Sequence, residues 1–277
     1  MSYSNSSMSS GSRAARRTPE FGGTYVVRPK GKHQATILWL HGLGDNGSSW
    51  SQMLESLPLP NVSLNTHGQR YAAINVDIYN LKWNFPVQIK WICPTAPTRH
   101  VTSLGGFPCT AWFDTGELSD EGPDDIEGLD ASAAHIANLL SAEPANIKVA
   151  VGGFSMGAAA ALYSATCFAQ GKYGNGSPFP VNLRAVIGLS GWLPGARSLR
   201  NKIEASADAA RRAAWLPIFL SHGLCDDVVP YTHGERSYRA LSIAGFRNLV
   251  FNTYEEMGHY TNPKEMDDVC NWLRMVF

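Results

Sequence analysis

Gly153-Phe154-Ser155-Met156-Gly157 sets a serine between two glycines, directly after the apolar run Ile147–Val151 and directly before the Ala-rich stretch Ala158–Ala169. A serine hydroxyl is a weak nucleophile until a neighbouring base takes its proton. Downstream lie His222-Gly223-Leu224-Cys225-Asp226-Asp227-Val228-Val229-Pro230, and later Met257-Gly258-His259. Ser155, Asp226 and His259 therefore supply a nucleophile, an orienting acid and a base. With these three, an imidazole can deprotonate the hydroxyl as it attacks an acyl carbonyl, while the carboxylate holds the ring in one tautomer. Asp227 is the adjacent alternative for the acid; Asp226 is favoured, leaving Asp227 to solvent or to capping the next turn. Upstream, His41-Gly42-Leu43-Gly44-Asp45 offers a Gly-rich turn. The backbone N–H groups of Leu43 and Met156 are the expected donors to a developing oxyanion, a task for which their side chains are irrelevant. His41 reads as a packing or hydrogen-bonding residue and not as a second base.

These groups need elements to bring them together. Ala35–Leu40, Ile89–Cys93, Ile147–Val151, Ala185–Leu189, Pro217–Ser221 and Leu249–Tyr254 are short, nearly continuous apolar runs, as expected for parallel strands covered on both faces. Ile126–Leu140, Ala158–Ala169, Gly234–Ala244 and Pro263–Met275 read as helices between them. Strands alternating with helices predict a mostly parallel central sheet with helices on both faces. Strand–Gly-x-Ser-x-Gly–helix followed by acid and then histidine is the chain order of the α/β-hydrolase fold. Each candidate group then sits at the C-terminal end of a strand, where ligand crevices of open α/β sheets lie.

Composition narrows the classes. Lys plus Arg and Asp plus Glu each number 23, so a net charge of zero leaves no electrostatic footprint for nucleic acid. The five cysteines are odd in number and unpaired in spacing, which argues against a disulfide framework and a zinc site and for a reducing compartment. No apolar stretch approaches the ~20 residues of a membrane span, so stable membrane insertion is not expected. Residues 1–33 are expected to be a flexible tail. Their Ser-rich, Arg-bearing start also has the composition of an organellar transit peptide, although cytoplasmic location is the default. Residues 34–277 are expected to form one domain.

Trp39-Leu40-His41-Gly42-Leu43-Gly44-Asp45, Cys93-Pro94-Thr95-Ala96-Pro97, Ala111-Trp112-Phe113-Asp114, Gly152–Gly157, Leu189-Ser190-Gly191-Trp192-Leu193-Pro194, His222–Pro230 and Gly258-His259 together resemble the acyl-protein thioesterase / lysophospholipase-like carboxylesterases. The resemblance implies a cytosolic esterase that removes long acyl chains from protein cysteines or from lysophospholipids, monomeric or weakly dimeric, without metal or cofactor. It also implies an acyl pocket walled by the loop before Trp112, with Leu104 and Phe107, and by Trp112 and Trp192. Met156 stands where many members have Gln, and Asp227 where Pro is common. No cysteine lies near the N-terminus to carry an acyl anchor.

Two other readings share these residues. One is a carboxylesterase or lysophospholipase acting on small-molecule or lipid esters; the other is a hydrolase-fold receptor that binds without turnover. Residues 62–88 depart from the family's spacing and are expected to be a surface loop or an unusual splice or gene-model segment. Limited proteolysis should cut there first with activity retained; a protected segment would remove that expectation.

Overall fold

The computed structural model describes residues 20–57, 88–116 and 122–277. Its centre is a seven-stranded sheet in the order β1-β3-β2-β6-β7-β8-β9. The strands are β1 (Thr24–Val27), β2 (Ala35–Leu40), β3 (Ile89–Pro94), β6 (Lys148–Phe154), β7 (Leu183–Leu189), β8 (Ile218–Gly223) and β9 (Leu249–Tyr254). Every pairing from β3 to β9 is parallel. Between β3 and β6 the chain makes a separate hairpin of β4 (Thr98–Val101) and β5 (Phe107–Thr110). Gly105 and Gly106 turn it at φ 66° and 82°, where a residue without Cβ carries no steric penalty.

Side-chain alternation along β2 explains the layers. Leu38 and Leu40 face a core shared with helices α2 (Ile126–Ser141), α3 (Met156–Gln170) and α6 (Tyr231–Ile243), outside which α4 (Ala196–Glu204) and α5 (Ala207–Trp215) pack. Ile37 and Trp39 face the opposite core, with α1 (Gly47–Glu55) and α7 (Pro263–Val276). There Trp39 meets Trp50 at 5.3 Å and Trp91 edge-on at 5.9 Å between ring centroids. The six predicted central strands and four predicted helices are all present; Ala35–Leu40 and Leu249–Tyr254 coincide with their strands, and no other end shifts by more than three residues. Among the described residues, no helix is long and apolar enough to cross a membrane.

The expected tail needs correction at its inner end. Thr24–Val27 is an edge strand antiparallel to β3, and Gly22 and Thr95 extend the pairing through Gly22 N–H to Thr95 O at 2.9 Å. Its side chains are largely exposed, so backbone hydrogen bonds and not apolar burial hold it. That is why composition carried no sign of a strand. Residues 1–19, and residues 62–87 of the expected insertion, lie outside the described residues.

Helix α3 is buried on nearly every side and must dock tightly against β2. A Cβ on Gly157 would lie 2.2 Å from the Leu40 carbonyl oxygen, a distance that only a backbone shift could relieve. Gly157→Ala should therefore cost about 1–3 kcal/mol, or somewhat more given that the clash is with backbone. The expected readout is a lower urea midpoint at unchanged m-value; an unchanged midpoint would show that the junction has room.

Candidate active site

A single residue, Ser155, separates β6 from α3. Its backbone stands at φ 56° and ψ −122°, a conformation that costs a residue with a side chain about 1–3 kcal/mol. Neighbouring elements hold it there: the Ser155 N–H donates to the Leu189 carbonyl at 2.8 Å, and its own carbonyl accepts from Ala159 N–H at 3.1 Å. The turn presents the hydroxyl to His259, whose Nε2 lies 2.9 Å from Ser155 Oγ. His259 follows the end of β9, and its ring packs against Phe154 at 4.8 Å between centroids.

Asp226 completes the line. Its Oδ2 lies 2.8 Å from His259 Nδ1, and its Oδ1 accepts from the backbone N–H groups of Val228 at 3.0 Å and Val229 at 2.8 Å. Asp226 is buried, whereas Asp227 is exposed. Burial alone would raise the Asp226 carboxyl. Hydrogen bonds from His222, His259 and the Val229 backbone outweigh it and hold the group below the usual carboxylate range. An ionised carboxylate only accepts, so the proton between the two belongs to His259 Nδ1. Nε2 is then left unprotonated and faces the serine O–H, the tautomer that can remove its proton.

The Gly-rich turn of residues 41–45 lies against this serine, since a Cβ on Gly42 would meet Ser155 Cβ at 3.4 Å. It is tied to the chain between β3 and α2. Trp112 Nε1 donates to the His41 carbonyl at 2.8 Å, Gly44 N–H donates to the Thr110 carbonyl at 2.9 Å, and Thr110 Oγ1 donates to the Asp45 carbonyl at 2.8 Å. His41 is fully buried. Its Nε2 accepts from Ala96 N–H at 3.0 Å, so its Nδ1 donates to the Gly42 carbonyl at 2.6 Å. Burial lowers its pKa and keeps it neutral, in keeping with a structural role. Leu43 is half-buried; Met156 opens α3, so its N–H belongs to the first helical turn, which has no intrahelical partner.

The four residues expected around an acyl pocket separate into three situations. Trp192 packs edge-on against Phe113 and lines a cleft of about 840 Å³ with Phe113, Leu193, His233 and Arg236. Leu104 and Phe107 stand out on the β4–β5 hairpin, Phe107 at 73% exposure. Trp112 requires correction: it is fully buried and its indole N–H is spent on His41, so it supports the Gly-rich turn from the core and has no surface to offer a ligand.

Two residues near the triad carried no signal in the sequence. His222 is fully buried at the end of β8, with Nε2 3.3 Å from Asp226 Oδ2. Glu265 is fully buried in the first turn of α7, where a carboxylate in sequence reads only as favourable helix-terminus charge.

Comparison with known proteins places the chain in a family. The sequence profile described as phospholipase/carboxylesterase matches residues 22–83 and 73–277. An acyl-protein thioesterase 1 homologue of Dictyostelium discoideum is 31% identical over 256 residues, covering 90% of this chain and 94% of its own. The acyl-protein thioesterase 1 of Mycosarcoma maydis is 30% identical over 272 residues, covering 91% and 96%. The crystal structure of Zea mays acyl-protein thioesterase 2 superposes with a TM-score of 0.81 at 61% identity, covering 92% of this chain and 98% of that one. Arabidopsis thaliana SOBER1 shares the fold, with a TM-score of 0.65 at 24% identity over 87% of this chain and 98% of its own. With a strand–serine–helix junction at its centre and a profile match over nearly its whole length, this chain belongs to the phospholipase/carboxylesterase family of serine hydrolases.

Proposed function

We propose that this protein removes long acyl chains from cysteine thiols of S-acylated proteins, with Ser155 as nucleophile, His259 as base and Asp226 as orienting acid. The observation that carries the reading is the unbroken line from Asp226 Oδ2 through His259 to Ser155 Oγ, at 2.8 and 2.9 Å. Ser155 Oγ attacks the thioester carbonyl and its proton passes to His259 Nε2. The N–H groups of Leu43 and Met156 bind the oxyanion, each donor of this kind being worth about 3 kcal/mol. The thiolate leaves readily because its conjugate acid has a pKa near ~8.5, so it needs little help from a proton donor. The departing thiolate takes up the Ser155 proton from His259, which frees the imidazole; His259 then deprotonates water as it attacks the acyl-enzyme and returns that proton to Ser155 Oγ as the fatty acid leaves.

Trp192, with the exposed Leu104 and Phe107, supplies apolar surface for the acyl chain in this reading. The five cysteines are all unpaired thiols, which suits a cytoplasmic setting. The family profile covers phospholipases as well, so a lysophospholipid or small ester is the second substrate reading. The triad chemistry serves both.

Matched C2, C8 and C16 acyl esters and thioesters separate the two readings. Turnover rising with chain length and favouring thioesters is the expected result; activity confined to C2 esters would overturn the long-chain assignment. Ser155→Ala should lower kcat by about 10³-fold or more at intact fold. Asp226→Asn, which reverses the imidazole tautomer, should cost about 10⁴-fold. A pH series adds a signed test. Because the Asp226 carboxyl lies below its ordinary range, the acid stays ionised as pH falls, and no carboxylate limb from Asp226 should cut activity between about pH 4 and 6. Such a limb, absent in Asp226→Asn, would contradict the assignment.

A further inference from the structure

Asp226 Oδ2 has two imidazoles within reach. His259 approaches from the serine side at 2.8 Å, and His222 from the interior at 3.3 Å. His222 Nε2 also lies 2.8 Å from the Val229 carbonyl oxygen, so both neighbours of that nitrogen are acceptors. Nε2 must therefore carry the proton, and His222 donates to the acid and to the turn that follows it. This makes His222 the fastener between the carboxylate and the Val228–Val229 backbone, whose N–H groups hold the other carboxylate oxygen. The ring is boxed in by Tyr231, edge-on at 6.1 Å, and by Gly234, where a Cβ would lie 2.4 Å from His222 Nδ1. That Nδ1 has no hydrogen-bond partner among the described residues.

One residue back along β8, Ser221 Oγ donates to Glu265 Oε1 at 2.6 Å. Glu265 lies three residues after the Asn262 cap of α7, a position where a carboxylate ordinarily closes a capping box at the surface. Here it is fully buried, and its second oxygen has no partner among the described residues. Helix capping does not require such burial, and an unpaired buried carboxylate is costly.

We propose that His222 is a positioning residue for the acid of the triad, and that the buried Glu265 carboxyl behind it makes the acid's setting responsive to pH. The proposal rests on the triad assignment above. The groups that face Glu265 are Ser221 and His222 from β8, Tyr254 from β9, and the Asn262 backbone and Asp268 from α7, the last paired with Lys264 at 3.7 Å. Burial pushes the Glu265 carboxyl up to about 7, against the opposing hydrogen bond from Ser221. Glu265 thus changes charge across the neutral range. As it ionises it adds negative potential beside His222, the donor to Asp226, and through that pair strengthens the hold of the triad on the proton of His259. In stability the sign is the same as for any group with a raised folded pKa. The folded chain binds this proton more tightly than the unfolded one, so the contribution is complete below about pH 4.5 and is lost as pH rises through about 7.

The test uses the full chain and 4-nitrophenyl octanoate. His222→Leu removes the Nε2 donor, whereas His222→Gln keeps an N–H at similar reach. His222→Leu is expected to lower kcat by about 10- to 100-fold with KM within about twofold, and His222→Gln to recover most of the loss. Equal losses in both variants, or none in either, would overturn the positioning role. Glu265→Gln preserves shape and the Ser221 contact but not the titration. The acid limb of its kcat/KM profile should move to lower pH by about 0.3–1 unit; an unmoved limb removes Glu265 from the proposal. Should His222→Leu fail to fold, the Gln variants carry both arms. Ser155→Ala run in parallel separates the readings, because its retained activity would overturn the triad itself, whereas full loss there with wild-type behaviour in the His222 and Glu265 variants would overturn this proposal alone.

Discussion

Beneath Ser155 the first turn of α3 meets the end of β2 so closely that neither Gly153 nor Gly157 has room for a Cβ, the nearest backbone oxygens lying at 2.8 Å or less. This close approach allows a residue with a side chain to persist at φ 56°. Strain of this kind survives only where the surroundings over-determine it, and here the surroundings are two buried strands, a buried helix and two backbone hydrogen bonds. The consequence is functional: the hydroxyl stands clear of both elements, at the base of the first helical turn, whose N–H groups have no partner within the helix. A second strained residue, Ser190 at φ 49°, ends the neighbouring β7 and brings Gly191 against the Ser155 carbonyl. Two adjacent strand ends thus carry strain beside one hydroxyl.

Around that junction the cost of burying Asp226, His41 and Trp112 is offset by partners that also have a positional role. A carboxylate in the interior is stable only when its lone pairs are filled, and Asp226 is served by two imidazoles and two backbone N–H groups. The same bonds that make the charge tolerable aim it at His259. The Gly-rich turn follows the same logic: His41, bonded to Gly42 and Ala96, and Trp112, bonded to His41, are core residues whose few polar contacts fix the backbone of the turn. In the proposed reaction their burial lets the turn meet developing charge without rearrangement, and such preorganisation is a large part of catalysis by fixed dipoles.

Much of this is legible in the amino-acid sequence. The apolar runs predicted the parallel strands, because strands covered on both faces have little polar surface to show. Ser155, Asp226 and His259 stand out as candidates because each follows a strand, where local sequence switches abruptly from apolar to glycine and polar residues. Thr24–Val27 was not readable, since an edge strand held by backbone pairing leaves no side-chain signature. The nine-residue helices α1, α4 and α5 were missed for a related reason: each is short, and tertiary packing more than propensity stabilises helices of that length.

The sequence by itself determined which reactive groups exist, their chain order, and the βα alternation that delivers them to one edge of a sheet. Only the tertiary structure decided how they meet. Ser155 and His259 are 104 residues apart, and Asp226 and His259 are 33 apart, so their distances depend on strand register and not on local pattern. Of the two adjacent aspartates, the fold turns Asp226 inward, to His259, and leaves Asp227 to solvent. It buried Trp112 behind the Gly-rich turn while leaving Trp192 at a cleft. It also set His222 against Asp226 and enclosed Glu265. Burial is a property of what faces a side chain from the rest of the chain, and no residue's own neighbours in sequence specify it.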